Sequence, residues 1–256
     1  MGVPTPPNCD LLSLHERCLT GIAPTIGKQA NVKTLVITPM QEELNLFLQA
    51  CITRGFRVEN DVLGRLPIVR LPDLNMTLAR GGTGKAQFAV QTQHLLDAAL
   101  DWELVICAGA AGALIDDLSV GDVVVATSTV EHDYNNKFSE RPAPSFDSAP
   151  EAIAALRHIL LSFDSFKVHF GIVASGDEDI VDAERRRTLH HQLNALAVAW
   201  EGAGGARACK FSSVPFVEIR GVTDAANQLA PSDFETNLEI AMNNVAALIT
   251  TWISRA

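Results

Sequence analysis

Five cysteines in 256 residues, an odd number with scattered spacing and no CxxC pair, exclude a disulfide framework and offer no thiolate metal set. That usage fits a reducing cytoplasm. Basic clusters are nearly absent: only Arg185, Arg186 and Arg187 run together, in a polar stretch that reads as a solvated helix face. With a formal net charge of −10, a nucleic-acid partner is not expected. No run of 18 apolar residues is available to span a membrane, and the N-terminus lacks the basic flank and apolar core of a signal peptide. Pro6 stands where a myristoylation signal needs Ser or Thr. What the chain does have is apolar content, 47%, enough for one substantial core. A small metabolite suits such a protein better than a polyanion.

Residues 1–30, broken by proline and glycine, read as an N-terminal extension with one short helix around Leu11–Leu19. From residue 31 onward the pattern alternates. "KTLVITPM" is β-rich, and "QEELNLFLQACITRG" follows with helical spacing at Leu44, Phe47, Leu48 and Cys51. "LPIVRLP" and "MTLAR" read as paired strands. "KAQFAVQTQHLLDAALD" reads as a helix, apolar at Phe88, Val90, Leu95, Leu96 and Ala99. "ELVICAGAAG", "VGDVVVATSTVEHD", "KVHFGIVASGD" and "VPFVEIRGVTD" complete the strands. Ser232 and Glu235 form the spacing of a capping box for the last helix. Alternation of this kind predicts an α/β fold: one mixed sheet with helices on both faces.

Two glycine-rich stretches fail as nucleotide motifs. "GGTGKAQ" has Ala79 where a P-loop needs its first glycine and Ala86 where Mg²⁺ needs a hydroxyl. "GAAG" at 109–112 lacks the first glycine of a dinucleotide fingerprint. Both remain as small-residue turns after strands, suited to close backbone approach or to tight packing. Three acids then stand out at strand exits, where α/β proteins bind ligands: Glu43 beside Glu42, Glu201 after Trp200, and Asp224 at the end of "VEIRGVTD". Each alone reads equally as a cap or a solvated residue. A carboxylate closing an apolar run is costly unless paired or protonated, so a general acid is the sharper reading of Asp224.

The ordered series "PMQEEL", "GGTGKAQFA", "CAGAAGAL", "VGDVVVATSTVEHD", "GIVASGDEDI", "AVAWEGAG" and "VEIRGVTDAA" resembles the nucleoside phosphorylase/nucleosidase family over about residues 33–253, most closely its methylthioadenosine/S-adenosylhomocysteine nucleosidase branch. The resemblance implies a three-layer α/β/α sandwich around a central mixed sheet, and cleavage of a purine nucleoside's N-glycosidic bond. It implies no cofactor and no metal. By position it makes Glu43 the base that activates water, Arg220 the residue that positions that water, and Asp224 the acid that protonates the purine. Glu201 would bind the ribose hydroxyls. Trp200, Ile180, Met40, Gly109, Ala110 and Thr223 would line the substrate. It also implies a homodimer in which a partner loop lines the 5′ pocket, with "HDYNNKF" at 132–138 as the matching segment.

The departures from the family pattern bear on specificity. Trp200 replaces a methionine of "EMEA", and Ala199 replaces the acid ahead of it. Asp179 stands where "SGDAFI" has a stacking aromatic, and Ala110 where "GSAGG" has a serine. Phosphorylases of the family carry a glycine and an arginine ("GDPxR") after the first strand, and this chain has "TPMQEE". Acids there repel phosphate and polarise water, so hydrolysis is expected over phosphorolysis. A phosphate-dependent phosphorylase and a catalytically weak nucleoside-binding protein are the alternatives.

Overall fold

The computed structural model describes residues 32–138, 141–159 and 163–255. The expected helix near Leu11–Leu19 lies outside the described residues. Ten strands and six helices follow β1 (Thr34–Thr38), α1 (Gln41–Thr53), β2 (Glu59–Leu63), β3 (Leu66–Leu71), β4 (Met76–Arg80), α2 (Lys85–Ala98), β5 (Leu104–Ala113), β6 (Val123–Glu131), β7 (Ser145–Asp147), α3 (Pro150–His158), β8 (Val168–Ser175), α4 (Ala183–Leu193), β9 (Ala195–Ala199), α5 (Gly202–Ser212), β10 (Phe216–Asp224) and α6 (Ala230–Arg255).

β5 organises the sheet. On one edge it pairs in parallel with β1 at Leu104–Cys107, then antiparallel with β9 at Gly112 and Ala113. On the other edge it pairs in parallel with β10. Because β10 also pairs with β6, β6 with β8, and β8 with β9, five strands close into a ring, and β1, β4, β3 and β2 extend from it as an open wing. Small residues from Gly109 to Ala113 let one strand serve both parts. "GAAG" is therefore strand interior rather than a turn.

Helices cover both faces. Leu44 and Phe47 of α1, Leu156 of α3 and the apolar stripe of α6 pack with Val217 and Ile219. On the other face Phe88 and Leu95 of α2 and Cys209 of α5 pack with Phe216, Val105 and Cys107. Since β10 alternates, Glu218 and Arg220 point to the second face, into an apolar layer.

Several local expectations are corrected. α6 begins at Ala230, ahead of Ser232, whose hydroxyl donates to the Leu229 carbonyl, so the capping box does not form. The turn ahead of α6 is instead tied by Asn227, which accepts from the Leu229 amide. Val90 is exposed on α2. The arginine run is only partly solvated: Arg185 chelates Glu178, and Arg186 bonds the Ala113 carbonyl and Asp116. β2 is polar and exposed along most of its length, so apolar periodicity does not mark it. β9, "ALAVA", is too rich in alanine to read as a strand.

Candidate active site

A cavity of about 510 Å³ opens at the C-terminal ends of β1, β5, β9 and β10. Glu43, Arg220, Glu201, Asp224, Trp200, Ile180, Met40, Ala110 and Thr223 all line it. Gly109, expected among the substrate contacts, lies behind it.

Glu43 enters from the first turn of α1, just after β1. Its carboxylate accepts from the Met40 amide at 2.8 Å and from the Ala110 amide at 2.8 Å. These bonds fix both oxygens, one of them through the Ala110 backbone. Glu42 beside it is exposed. Burial pushes the Glu43 carboxyl up to about 7, against the pull of Arg220 and the two amides, with Glu201 adding to the rise.

Arg220 is 1% exposed and bonded at each of its three nitrogens. Its Nε donates to Glu218 at 2.8 Å, Nη1 to the Ala110 carbonyl at 3.2 Å, and Nη2 to Glu201 and to Cys107 Sγ, both at 3.3 Å. Burial opposes its charge, and Cys107, Glu218, Glu201 and Glu43 around it more than restore it. Cys107 is thus an acceptor as well as a core residue, and burial holds its thiol well above the usual range. The close packing depends on Gly109: a Cβ there would stand 2.6 Å from Arg220 Nη1 and 2.7 Å from Glu43 Oε1.

Glu201 follows β9 and opens α5. Its second oxygen accepts from the Gly84 amide at 3.1 Å. Burial raises its pKa, and Arg220 counters the rise. Gly84 has φ +83, so the glycine-rich turn is required to aim this amide. The next amide, of Lys85, donates to Asp177 at 2.8 Å. Two N–H groups that could have cradled an anion are thus occupied by carboxylates of the protein itself.

Asp224 occupies a different setting. A register slip between Val222 and Asp224 brings it opposite Gly112, on the other side of the pleat from Arg220. It accepts from the Thr223 hydroxyl at 2.8 Å and the Ala226 amide at 2.8 Å. Burial raises its pKa, those two bonds oppose the rise, and the charge of Asp233 adds to it. A Cβ on Gly112 would stand 2.8 Å from its Oδ1, just as one on Gly109 would touch Glu43. Three residues of strand separate these two positions, about 10 Å.

Sequence reasoning passed over three features. Glu218 is wholly buried beneath the site; its signal was a charge two residues before Arg220, on the same face of an apolar strand. Phe234 and Glu235, from the start of α6, line the cavity, as does Thr83. Nothing in the α6 sequence marks that role, because it follows from where the helix starts.

A family model described as the phosphorylase superfamily matches residues 33–254. The chain belongs to the phosphorylase superfamily. Within it, the chain is 28% identical over 232 residues to the 5′-methylthioadenosine/S-adenosylhomocysteine nucleosidase of an Exiguobacterium species, covering 85% of this chain and 96% of that protein. The enzyme of the same name from Tolumonas auensis is 30% identical over 190 residues, 71% of this chain and 82% of its own. Among solved structures, the Helicobacter pylori nucleosidase of that name superimposes with a TM-score of 0.79 at 25% identity, covering 89% of this chain and 100% of that one. Like those relatives, this superfamily member has an α/β/α architecture around a mixed sheet, as expected from its sequence. No helix among its described residues is long and apolar enough to cross a membrane.

Proposed function

We propose that this protein hydrolyses the N-glycosidic bond of a purine nucleoside such as 5′-methylthioadenosine or S-adenosylhomocysteine. The observation that carries the choice of hydrolysis is the charge of the cavity lining. Among the described residues it holds Glu43, Glu178, Asp179, Glu201, Asp224 and Glu235 against one cation, Arg220, which has four of its five N–H donors already committed. Phosphate would enter an acid-lined site with one uncommitted guanidinium N–H to meet it. Water carries no such penalty.

Each group then has one task. Glu43, held near neutral titration, takes a proton from water on the face of the sugar opposite the base. Arg220 fixes the Ala110 segment and Glu201. Glu201 accepts from the ribose hydroxyls, and with Glu43 it stabilises positive charge developing on the sugar. Asp224, in a setting that favours its protonated form, donates to the departing purine. Trp200, Ile180 and Met40 supply apolar surface for the base and sugar.

The same reading includes a homodimer in the cytoplasm. In support, Tyr134 is half-exposed and Phe138 fully exposed in the segment assigned to the partner. Sedimentation of the purified chain tests it, and a monomer at micromolar concentration would remove it. The reaction class is tested by assaying base release with and without inorganic phosphate. Free ribose, or the free 5′-substituted ribose, is the expected product in both. A sugar 1-phosphate formed only with phosphate would make the protein a phosphorylase.

A further inference from the structure

Glu218 is buried at 0% exposure in the middle of β10, between the core residues Val217 and Ile219. Its Oε2 accepts from the Thr129 hydroxyl of β6, and its Oε1 from Arg220 Nε at 2.8 Å. The start of α5 is shaped around it: a Cβ on Gly202 would lie 2.0 Å from its Oε2. The positive end of α5 therefore faces this carboxylate as well. Replacing a buried ion pair with apolar residues is often neutral or stabilising, so stability alone is a poor reason for Glu218 in this strand.

Its bond to Nε has a geometric consequence. Nε is the inner nitrogen of the guanidinium, and holding it from below turns both Nη groups toward Ala110 and Glu201 at the cavity. It also has an electrostatic one. The groups facing Arg220 are Cys107 and the Ala110 carbonyl from β5, Glu201 from the start of α5, Glu43 from α1, and Glu218 on its own strand. Those facing Glu43 are Arg220, Glu201 and the amides of Met40 and Ala110. Without Glu218, the whole guanidinium charge would fall on Glu43 and Glu201.

We propose that Glu218 is a positioning residue that fixes Arg220 and takes up its charge, leaving Glu43 a base rather than an ion-pair partner. This deepens the hydrolytic reading and rests on it. Glu218→Gln keeps the shape and can still accept from Nε, but it removes the charge. Arg220 then holds the ionised form of Glu43 more strongly, so the limb of kcat/KM that rises with pH as Glu43 loses its proton moves to lower pH, by on the order of one unit. The limb set by Asp224 stays in place. A purely structural role would lower activity or stability without moving one limb.

The test is the pH profile of base release for native protein and Glu218→Gln, together with ¹³C-NMR titration of the glutamate carboxyl groups in ligand-free protein. A downward move of the Glu43 titration in both measurements is the expected result. An unmoved Glu43 titration in the folded variant overturns the proposal. If the native enzyme releases no base, the hydrolytic reading fails separately, and the ligand-free titration still decides the charge coupling. If Glu218→Gln does not fold, the native titration decides: Glu218 ionised throughout the Glu43 titration sustains the proposal, and a protonated Glu218 at pH 7 overturns it.

Discussion

Glu43 and Asp224 are both buried carboxyl groups packed against β5, and both accept two hydrogen bonds, yet their surroundings differ. Glu43 stands beside a guanidinium that two other carboxylates share, and burial still carries its pKa to about 7. Asp224 has a hydroxyl, an amide and a neighbouring acid, and no cation among its described partners. The contrast shows how one cavity can keep a base and an acid. At Glu43 the cation limits the effect of burial, so a base is available near neutral pH. At Asp224 nothing opposes burial except two neutral donors, so the proton is favoured. Environments that differ in this way allow two chemically similar groups to take opposite roles.

The most damaging way to break the contrast is to remove the proton at Asp224. Asp224→Asn keeps the side chain's size and its bond from Ala226, so the fold and substrate binding should survive. Loss of a positioned acid costs about 10²–10⁴-fold in kcat. Steady-state base release with separate measurement of ligand affinity checks this, and turnover within a few-fold of native would dismiss Asp224 as the acid.

A second variant strikes the other environment without touching a charge. Gly109→Ala places a methyl carbon within 2.7 Å of both Arg220 Nη1 and Glu43 Oε1. Those atoms belong to side chains, but Arg220 is tied at every nitrogen and cannot retreat freely. Displacement of this size at a reacting group costs about 10²-fold. The measurement is kcat/KM beside thermal unfolding. Native activity in a folded Gly109→Ala would show that the packing at this position is not needed.

The halves of the contrast also differed in how far the sequence revealed them. Asp224 was readable because a charge closing an apolar strand is conspicuous. Glu43 and Glu201 were readable as acids at strand exits, and family resemblance supplied their tasks. Glu218 was not singled out, although "VEIR" places it on the same face as Arg220, because an isolated glutamate in a strand usually faces solvent. The ring of β5, β10, β6, β8 and β9 was also hidden, since pairing of one strand with three partners leaves no periodic trace. The start of α6 was misplaced by three residues because Ser232 lies inside its first turn, "APSD", and the turn ahead of the helix is tied by Asn227.

Glu201 offers a smaller, more selective test. If its carboxylate accepts from the ribose hydroxyls, a 2′-deoxynucleoside forfeits a charge-assisted bond worth about 1.5–3 kcal/mol, and kcat/KM should drop by roughly ten- to a hundredfold. Glu201→Gln should shrink that discrimination. Equal efficiency on ribo- and deoxyribonucleosides would assign Glu201 to Gly84 and Arg220 alone.

The smallest expected effect concerns stability, and it separates the two carboxyl environments without any substrate. The Glu43 pKa is raised from 4.5 in the unfolded chain to about 7 in the fold. Between those values the folded protein holds a proton that the unfolded chain has released. Its contribution is therefore fully present below pH 4.5 and is lost as pH rises through 7, so stability falls across that window. A shift of this size corresponds to about 3 kcal/mol at most, with the network around Arg220 relaxing to reduce it. Glu43→Gln replaces the titrating group with one that never ionises and can still accept from the Ala110 amide. It should thus be more stable than native at pH 8, by roughly 1–3 kcal/mol, and nearly equal to it at pH 4.5. Urea denaturation at the two pH values measures the difference. The same variant should release almost no base, so stability would rise where catalysis is lost, as expected when a buried charge is kept for chemistry. A Glu43→Gln protein less stable than native at pH 8 would mean that the bonds from Met40 and Ala110 outweigh burial, and that Glu43 titrates as an ordinary paired carboxylate.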